Sequence, residues 1–444
     1  MGKSAKAVKR PTKKQKELKK SRATADAAIA KSASSRISGG GVSKPKKAAK
    51  ARAAKSKKSA LNTASIARLL LLLLMAVPFG LATSNVIDNI NDWRFSGAML
   101  SVARASIAAA NVGHLALFAG GRLQNGTYTD VVDIYNRKTK KWTTSHLSKA
   151  RSEIGAGSVG SRYALFAGGF DSMFRPMSLV DVYDAETEKW TSIHLKTPRA
   201  SPRLISLGSS TAVVGGLSGD LQYLSNAVDF VDSKLSVFST SLQSPYPQLG
   251  LALSDVSSET GLYTSGYQNN RPGERFNDFE PSNQTVVFGA PTNLVAGPIF
   301  PYPRWGAGGA ATNGVFVVGG GHLFANGTGE SLLTDRVDIF HASSQQWSSQ
   351  PLKLSVPRDY PLVQVVGDYI VFLSGTDKSK DLDIFDTQAC RFVSNDRHAP
   401  ALYTLRSDAA ATTIDGCLLM VAGGSVYQGR NTTASVEMFD ACHV

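Results

Sequence analysis

The sequence predicts an all-β fold, a ring of seven four-stranded blades, and three observations predict it. Glycine pairs, or a Ser-Gly in their place, recur seven times. A strand of the form Val-Asp-hydrophobic-aromatic follows each pair, and a Trp or Phe closes most of the units. Self-similarity at a period of about 50 residues is the signature of a repeat architecture, in which one unit cannot bury its own faces and neighbours must stack.

The chain of 444 residues opens with a segment that belongs to no such unit. Residues 1–68 hold 21 Lys/Arg against Glu17 and Asp26 alone, and the remainder carries 28 basic and 32 acidic residues, so the whole of the net +15 resides in this tail. KRPTKKQKELKK (Lys9–Lys20) and KPKKAAKARAAKSKK (Lys44–Lys58) have too few apolar side chains to offset ordering entropy, which predicts disorder over 1–68. Such charge is suited to acidic lipid or protein surfaces. The rest of the chain has no basic excess and so offers no charge support for nucleic-acid binding. At the start, MGKSAK places Lys6 where an N-myristoylation signal has Ser or Thr, which argues against lipidation.

Leu69–Ala82 follows as LLLLLLMAVPFGLA, uncharged and directly after Arg68. Fourteen residues suit a signal-peptide core, with cleavage after Gly80-Leu81-Ala82. Extension to Ile87 gives a marginal signal anchor, so 69–87 is predicted to be a membrane segment or a removed signal. A buried core helix is the plainer alternative, although six consecutive leucines give poor amphipathic patterning. The basic flank keeps the N-terminal side in the cytosol, making the remainder, 88–444, lumenal or extracellular: single-pass type II if anchored, secreted if cleaved near Ala82. The competing localisation is nuclear, because Lys44–Lys58 resembles the Lys/Ala-rich tails of linker histones.

The repeats then run in order. The first has Arg104, the strand HLALFAGG ending at Gly120-Gly121, VVDIYN (Val131–Asn136) and Trp142. The second repeats this as Arg151, Gly168-Gly169, LVDVYD (Leu179–Asp184) and Trp190, with glycines and tryptophan both displaced by 48 residues. Later glycine signals stand at Gly215-Gly216, Ser265-Gly266, Gly319-Gly320, Ser374-Gly375 and Gly423-Gly424. The third-strand motif recurs as VDFV (Val228), FNDF (Phe276), VDIF (Val337), LDIF (Leu382) and VEMF (Val436), and the closing aromatic as Phe238, Phe288, Trp347 and Phe392. Glycine serves where the chain must turn and backbones approach closely, and the aromatics fill the space between blades. These positions read as structural.

The seventh repeat ends after VEMFD without its fourth strand. Asn91–Phe95 stands the right distance before Arg104 to supply it, which predicts that Trp93 pairs with the final blade and closes the ring. Diglycine, downstream Tyr or Phe, and Trp in register over nearly all of 84–444 resemble the kelch-repeat family. That resemblance implies a kelch-type propeller used as an interaction platform, with no cofactor. The fourth repeat departs most, having no leading Arg.

Arg104, Arg151, Arg199, Arg304, Arg358 and Arg406 open the first strand of six repeats. Two readings stand for them: a ring of guanidinium groups at a channel mouth for carboxylates, phosphates or acidic peptides, or a repeated structural part bonding backbone carbonyls. The first reading makes them a partner-binding set for a protein or glycan ligand. Four N-x-S/T sequons, Asn125, Asn283, Asn326 and Asn431, all follow the apolar segment and are candidate glycosylation sites. The loops FDSMFRPMS (Phe170–Ser178) and GHLFANGTGESLL (Gly321–Leu333) are contact candidates.

Catalytic and metal-ligating patterns are absent: the seven histidines show no HxxxH or HExxH spacing, and no Cys/His cluster forms a zinc site. A sialic-acid-type propeller enzyme, using the arginine-lined mouth for a sugar carboxylate, is the enzymatic alternative. Cys417 reads as a core thiol, and a Cys390–Cys442 bridge between comparable turns is conceivable.

Overall fold

The computed structural model describes residues 93–219, 223–239, 248–249, 252–257, 260–268, 280–289, 293–324, 331–348, 352–376, 378–393, 400–426 and 431–442. The basic tail, the apolar segment 69–87, FNDF and Asn326 lie outside them. Every regular element among the described residues is a strand. None of them contains a helix long and apolar enough to cross a membrane, which leaves segment 69–87 untouched.

Seven antiparallel sheets form the blades. From inner to outer strand, blade 1 runs Ala108–Val112, Leu115–Ala119, Val131–Asn136 and Lys141–His146, and blade 2 runs Gly155–Val159, Tyr163–Ala167, Met177–Asp184 and Lys189–Arg199. The inner strands of blades 3 to 7 are Arg203–Leu207, Ala252–Ser257, Gly308–Thr312, Leu362–Val366 and Ala410–Ile414. Second strands are the most buried, as in Leu115–Ala119 and Tyr163–Ala167, because both of their faces meet a neighbouring blade. Their continuous apolar runs reflect that.

Seven apolar clusters hold the blades together, one at each interface. Phe166, Tyr183 and Trp190 of blade 2 pack on Leu117 and Ile134 of blade 1. In the same way Phe118, Tyr135 and Trp142 of blade 1 pack on Ile414 and Met420 of blade 7. Blade 7 takes its outer strand from the other end of the described chain. Arg94–Met99 pairs antiparallel with Ser435–Asp440 over its full length.

Register moves several predicted aromatics. Tyr135 faces Trp142 across the third and fourth strands, and the equivalent pair in blade 7 is Phe439 and Phe95. Phe95, rather than Trp93, therefore holds the closing position. Trp93 lies just before the strand and packs edge-on to Tyr369, with centroids 6.5 Å apart, at the joint of blades 6 and 7. In blade 3 a shorter hairpin puts Val237 opposite Val231, so Phe238 is one residue out and stacks on Phe230. In blade 4 the third strand is Thr285–Gly289, with Phe288 opposite Leu294. Phe288 is thus the third-strand aromatic, and Leu294 takes the place of Trp.

The glycine pairs are the turns after the second strands. Gly120 and Gly121 have φ of 62° and 102°, and the pattern repeats in all seven blades. The fifth pair is Gly320-Gly321, one residue later than predicted, since Gly319 ends the second strand at the position of Ala119. A triglycine left two frames open, and the strand ladder chooses between them. Gly319 is small for another reason: a Cβ there would meet the Phe372 ring at 2.7 Å.

The cysteine reading changes as well. Cys417 and Cys442 form a disulfide with Cα atoms 5.2 Å apart, tying the end of the third strand of blade 7 to the turn between its first two strands. Cys390 is free and exposed. The expected Cys390–Cys442 pairing put the bridge between blades, whereas the chain after Asp440 folds back onto its own blade, where Ala441 donates to the Cys417 carbonyl.

Candidate functional site

The six arginines are interior. Five have no exposed surface and Arg406 has 3 %. Each pairs with the acidic residue of its own third strand: Asp133, Asp181, Asp229, Asp338, Asp383 and Glu437, all buried. Arg151 shows the pattern. Its Nη1 donates to Asp181 Oδ2 at 2.7 Å, Nη2 to the Phe166 carbonyl at 3.0 Å and Nε to the Gly168 carbonyl at 2.9 Å. Burial pulls the pKa of Arg104, Arg151, Arg199, Arg304 and Arg406 down, and the carboxylate beside each opposes that pull. The partner-binding reading of these arginines is therefore corrected. Their guanidinium groups are turned inward onto backbone carbonyls of their own blade and onto the Asp or Glu of the V-D-φ-aromatic motif, with Nε of Arg104, Arg199 and Arg304 buried and unpaired.

The carboxylates have a second task. Asp133, Asp181 and Asp383 accept the backbone N–H of Ser101, Ser148 and Ser355, each three residues ahead of its arginine, and Glu437 accepts that of Tyr403. The pair thus locks the connector that enters the blade. Blade 4 lacks both halves. Gln248, which pairs with Gln268 as Arg104 does with Leu123, stands for the arginine, and Val286 stands for the acid.

Arginine and diglycine also meet across blades. The second glycine of one blade donates to the backbone carbonyl of the next blade's arginine, as Gly121 does to Arg151 at 3.0 Å. A Cβ on Gly120 would lie 2.7 Å from that same oxygen. Where serine replaces the first glycine, its hydroxyl donates to the corresponding oxygen, Ser265 to Arg304 and Ser374 to Arg406, and at Arg304 it does so alongside the Gly266 N–H. The hydrogen bond compensates for a left-handed backbone that serine adopts reluctantly.

Two residues past each arginine the chain reaches the channel mouth in a left-handed turn. Ser106, Glu153, Ser201, Gly306, Tyr360 and Asp408 hold φ between 44° and 67°. Five of these are not glycine, and for a bulky residue such as Tyr360 the conformation is an outlier of the kind that concentrates at functional sites. Neighbours are linked, since Ser201 N–H donates to the Glu153 carbonyl and Tyr360 N–H to the Gly306 carbonyl. Most of these residues, with Arg203, Asp359 and Gln364, line a cavity of about 650 Å³ at the axis, where the inner strands carry Ala and Gly.

Its charge is opposite to the expectation. Glu153, Asp359 and Asp408 face a single arginine, Arg203, while His322 lies 2.9 Å from Asp359 and stacks on Trp305 at 4.0 Å. Desolvation pushes the Tyr360 phenol up to about 12, with Asp359 adding to the rise and Arg203 opposing it. Ionisation of Tyr360 costs the folded state more than the unfolded one, so its contribution to stability is full below about pH 10 and is lost as pH rises towards 12. Tyr360→Phe is expected to flatten the stability loss between those values, read from denaturant midpoints, and an unchanged profile would contradict the raised phenol pKa.

The exposed large apolar side chains are unevenly placed. Second-to-third and fourth-to-first connections lie at the mouth end of every blade. Of ten such side chains among the described residues, Met99, Met173, Phe174, Ile299, Tyr302, Leu332, Leu333, Tyr360 and Tyr403 belong to that end. Phe95 and Tyr403 stack on each other beside blade 7.

The Phe170–Ser178 loop is a rigid mount. Asp171 accepts from Arg175 Nη2 at 2.7 Å and from the N–H groups of Met173 and Arg175. These bonds hold its carboxyl far below the usual range, the Arg175 guanidinium contributing most. Phe170 and Phe174 pack against Tyr128 of blade 1. The tip still leaves Met173 69 % and Phe174 59 % exposed.

Three sequons fall within the described residues. Asn125 and Asn431 are exposed at the mouth end, and Asn283 is half-buried at the start of a blade 4 strand. The sequence signal for the mouth residues was present, as the third residue of RAS, RSE, RAS, RWG, RDY and RSD. These vary where the arginine does not. Compared with known proteins, the chain matches no family model and no curated sequence.

Proposed function

We propose that the chain is a non-catalytic interaction module, a kelch-type propeller closed by its N-terminal strand, that holds a protein partner at its mouth end in a lumenal or extracellular compartment. The observation that carries this reading is the concentration of exposed apolar side chains at one end of the blades, with Met173 and Phe174 held on a clasped loop. Exposed apolar patches of this kind mark interaction surfaces, and rigid scaffolds place specificity in such loops. Apolar contact favours a protein over a glycan as the partner. The net negative mouth suits a basic partner segment. The sugar-carboxylate enzyme reading depended on free arginines at the mouth and loses that support.

Compartment is argued from two features. The Cys417–Cys442 disulfide suits an oxidising environment, and the sequons all lie on one side of the apolar segment. Trp93 enters the propeller at the end opposite the mouth, since Arg94 pairs with Asp440, which leaves the mouth clear of the chain's entry. A protease added to sealed membrane vesicles is expected to spare the propeller and remove the tail. Digestion of the propeller without detergent would overturn the topology in favour of the nuclear alternative.

For the binding face, the double substitution Met173→Ser, Phe174→Ser is expected to weaken partner binding by tenfold or more, as loss of aromatic anchors does at interfaces, with only a small drop in the unfolding midpoint from the lost Phe174–Tyr128 contact. Binding unaffected by that change would remove the loop from the interface.

A further inference from the structure

Blades 7 and 1 carry two sequons whose loops interlock. Asn125-Gly126-Thr127 sits in the loop after Arg122-Leu123, and Asn431-Thr432-Thr433 in the corresponding loop of blade 7. Gln124, next to Asn125, donates through Nε2 to Asn431 Oδ1 at 3.4 Å and accepts from the Thr432 N–H through Oε1. Both asparagines are exposed, and Gly126 has open space around it.

Each carboxamide is engaged through Oδ1. Asn125 Oδ1 accepts the Thr127 N–H at 3.0 Å and the Thr127 hydroxyl at 2.7 Å, and Asn431 Oδ1 accepts from Gln124. Nδ2, the atom that carries a sugar in an N-linked glycan, keeps no protein partner among the described residues at either position.

Asn283 differs. Its sequon threonine, Thr285, is 1 % exposed and donates to Thr264 Oγ1 at 3.2 Å, and the Asn283 carbonyl accepts the Phe300 N–H at 2.8 Å. Large, solvated glycans belong on surface loops, and this sequon is built into a blade.

We propose that Asn125 and Asn431 are N-glycosylated as a neighbouring pair and that Asn283 is not. In the transfer, Nδ2 forms a bond to the anomeric carbon of a lipid-diphosphate-linked oligosaccharide. The sugar–phosphate C–O bond breaks, the diphosphate leaves with the electron pair, and the amide proton passes to a base of the transferase. The two glycans then cover the blade 7–blade 1 sector of the mouth end. A macromolecular partner is directed to the rest of the mouth end, where Leu332 and Leu333 are exposed and where Met173 and Phe174 border the Asn125 loop through Tyr128. This assignment rests on the lumenal reading of the propeller.

The test expresses the full chain in eukaryotic cells, treats it with a glycan-removing amidase in heavy-oxygen water and maps the resulting Asn-to-Asp conversions by mass spectrometry. Label is expected at positions 125 and 431 and not at 283. Asn125→Gln and Asn431→Gln should each remove one amidase-sensitive mobility step, and the double variant both. Label at 283, or amidase sensitivity undiminished in the double variant, overturns the site assignment and leaves the lumenal reading standing. No label and no mobility step in any form overturns both.

Discussion

Arg151→Gln alone is expected to destabilise the propeller by about 3–5 kcal/mol, because it leaves the Asp181 carboxylate buried without its cation. Asp181→Val alone should cost a similar amount for the converse reason. The double variant is expected to recover most of the loss, since replacing both members of a buried pair with well-packed groups is often close to neutral. Blade 4 already makes this exchange, with Gln248 and Val286 at the two positions, and its second and third strands still pair along five residues. A double-mutant cycle on denaturant midpoints measures the coupling. Strict additivity of the two losses would mean that the ion pair is not the unit on which the blade depends. The carboxylate also anchors the Ser148 N–H, so the rescued protein should retain a residual deficit from that lost bond.

The second large effect lies in blade 7. Removing the Cys417–Cys442 bridge, which spans a sequence separation of 25, is expected to cost about 3 kcal/mol in the chain-entropy account. The consequence extends beyond the loop. Cys442 stands two residues past the strand Ser435–Asp440, which receives the outer strand Arg94–Met99. Loosening it exposes an unpaired edge at the joint between the first and last described strands. Cys442→Ser should therefore lower the unfolding midpoint and promote self-association, while Cys390→Ser changes neither. Peptide mapping that found Cys390 joined to Cys442 would contradict the structure at this point.

Period and blade number were legible in the sequence because the residues that set them are backbone requirements. Paired left-handed turns admit few residue types, so Gly120-Gly121 and its equivalents stand out even where serine intrudes. The V-D motif was legible as a strand, but its aspartate carried no visible reason until the arginine about 30 residues upstream was seen to share its blade. That separation hides the pairing from any local pattern. The same limit explains the arginines themselves, which in sequence resemble a ligand-binding ring as much as a structural staple.

Aromatic register failed where hairpins differed in length. Val237 and Leu294 replaced the expected aromatics at positions that a fixed offset from the glycines does not reach. Phe95 took the place expected of Trp93 for a different reason, since it is Phe95 that precedes Arg104 by the spacing that separates Trp142 from Arg151. The mouth residues were missed because they do not repeat. A position that varies among Ser, Glu, Gly, Tyr and Asp within one chain is invisible to a search for self-similarity, yet variation on a constant scaffold is where specificity is set.

The mouth end, and not the buried arginine ring or the opposite end, is expected to receive the partner. A photo-crosslinking residue placed at Phe174 samples the mouth end, and one at Lys138, exposed in the hairpin between the third and fourth strands of blade 1, samples the other. A discrete crosslinked protein is expected from position 174 and none from position 138. A partner captured through 138 and not through 174 would contradict this.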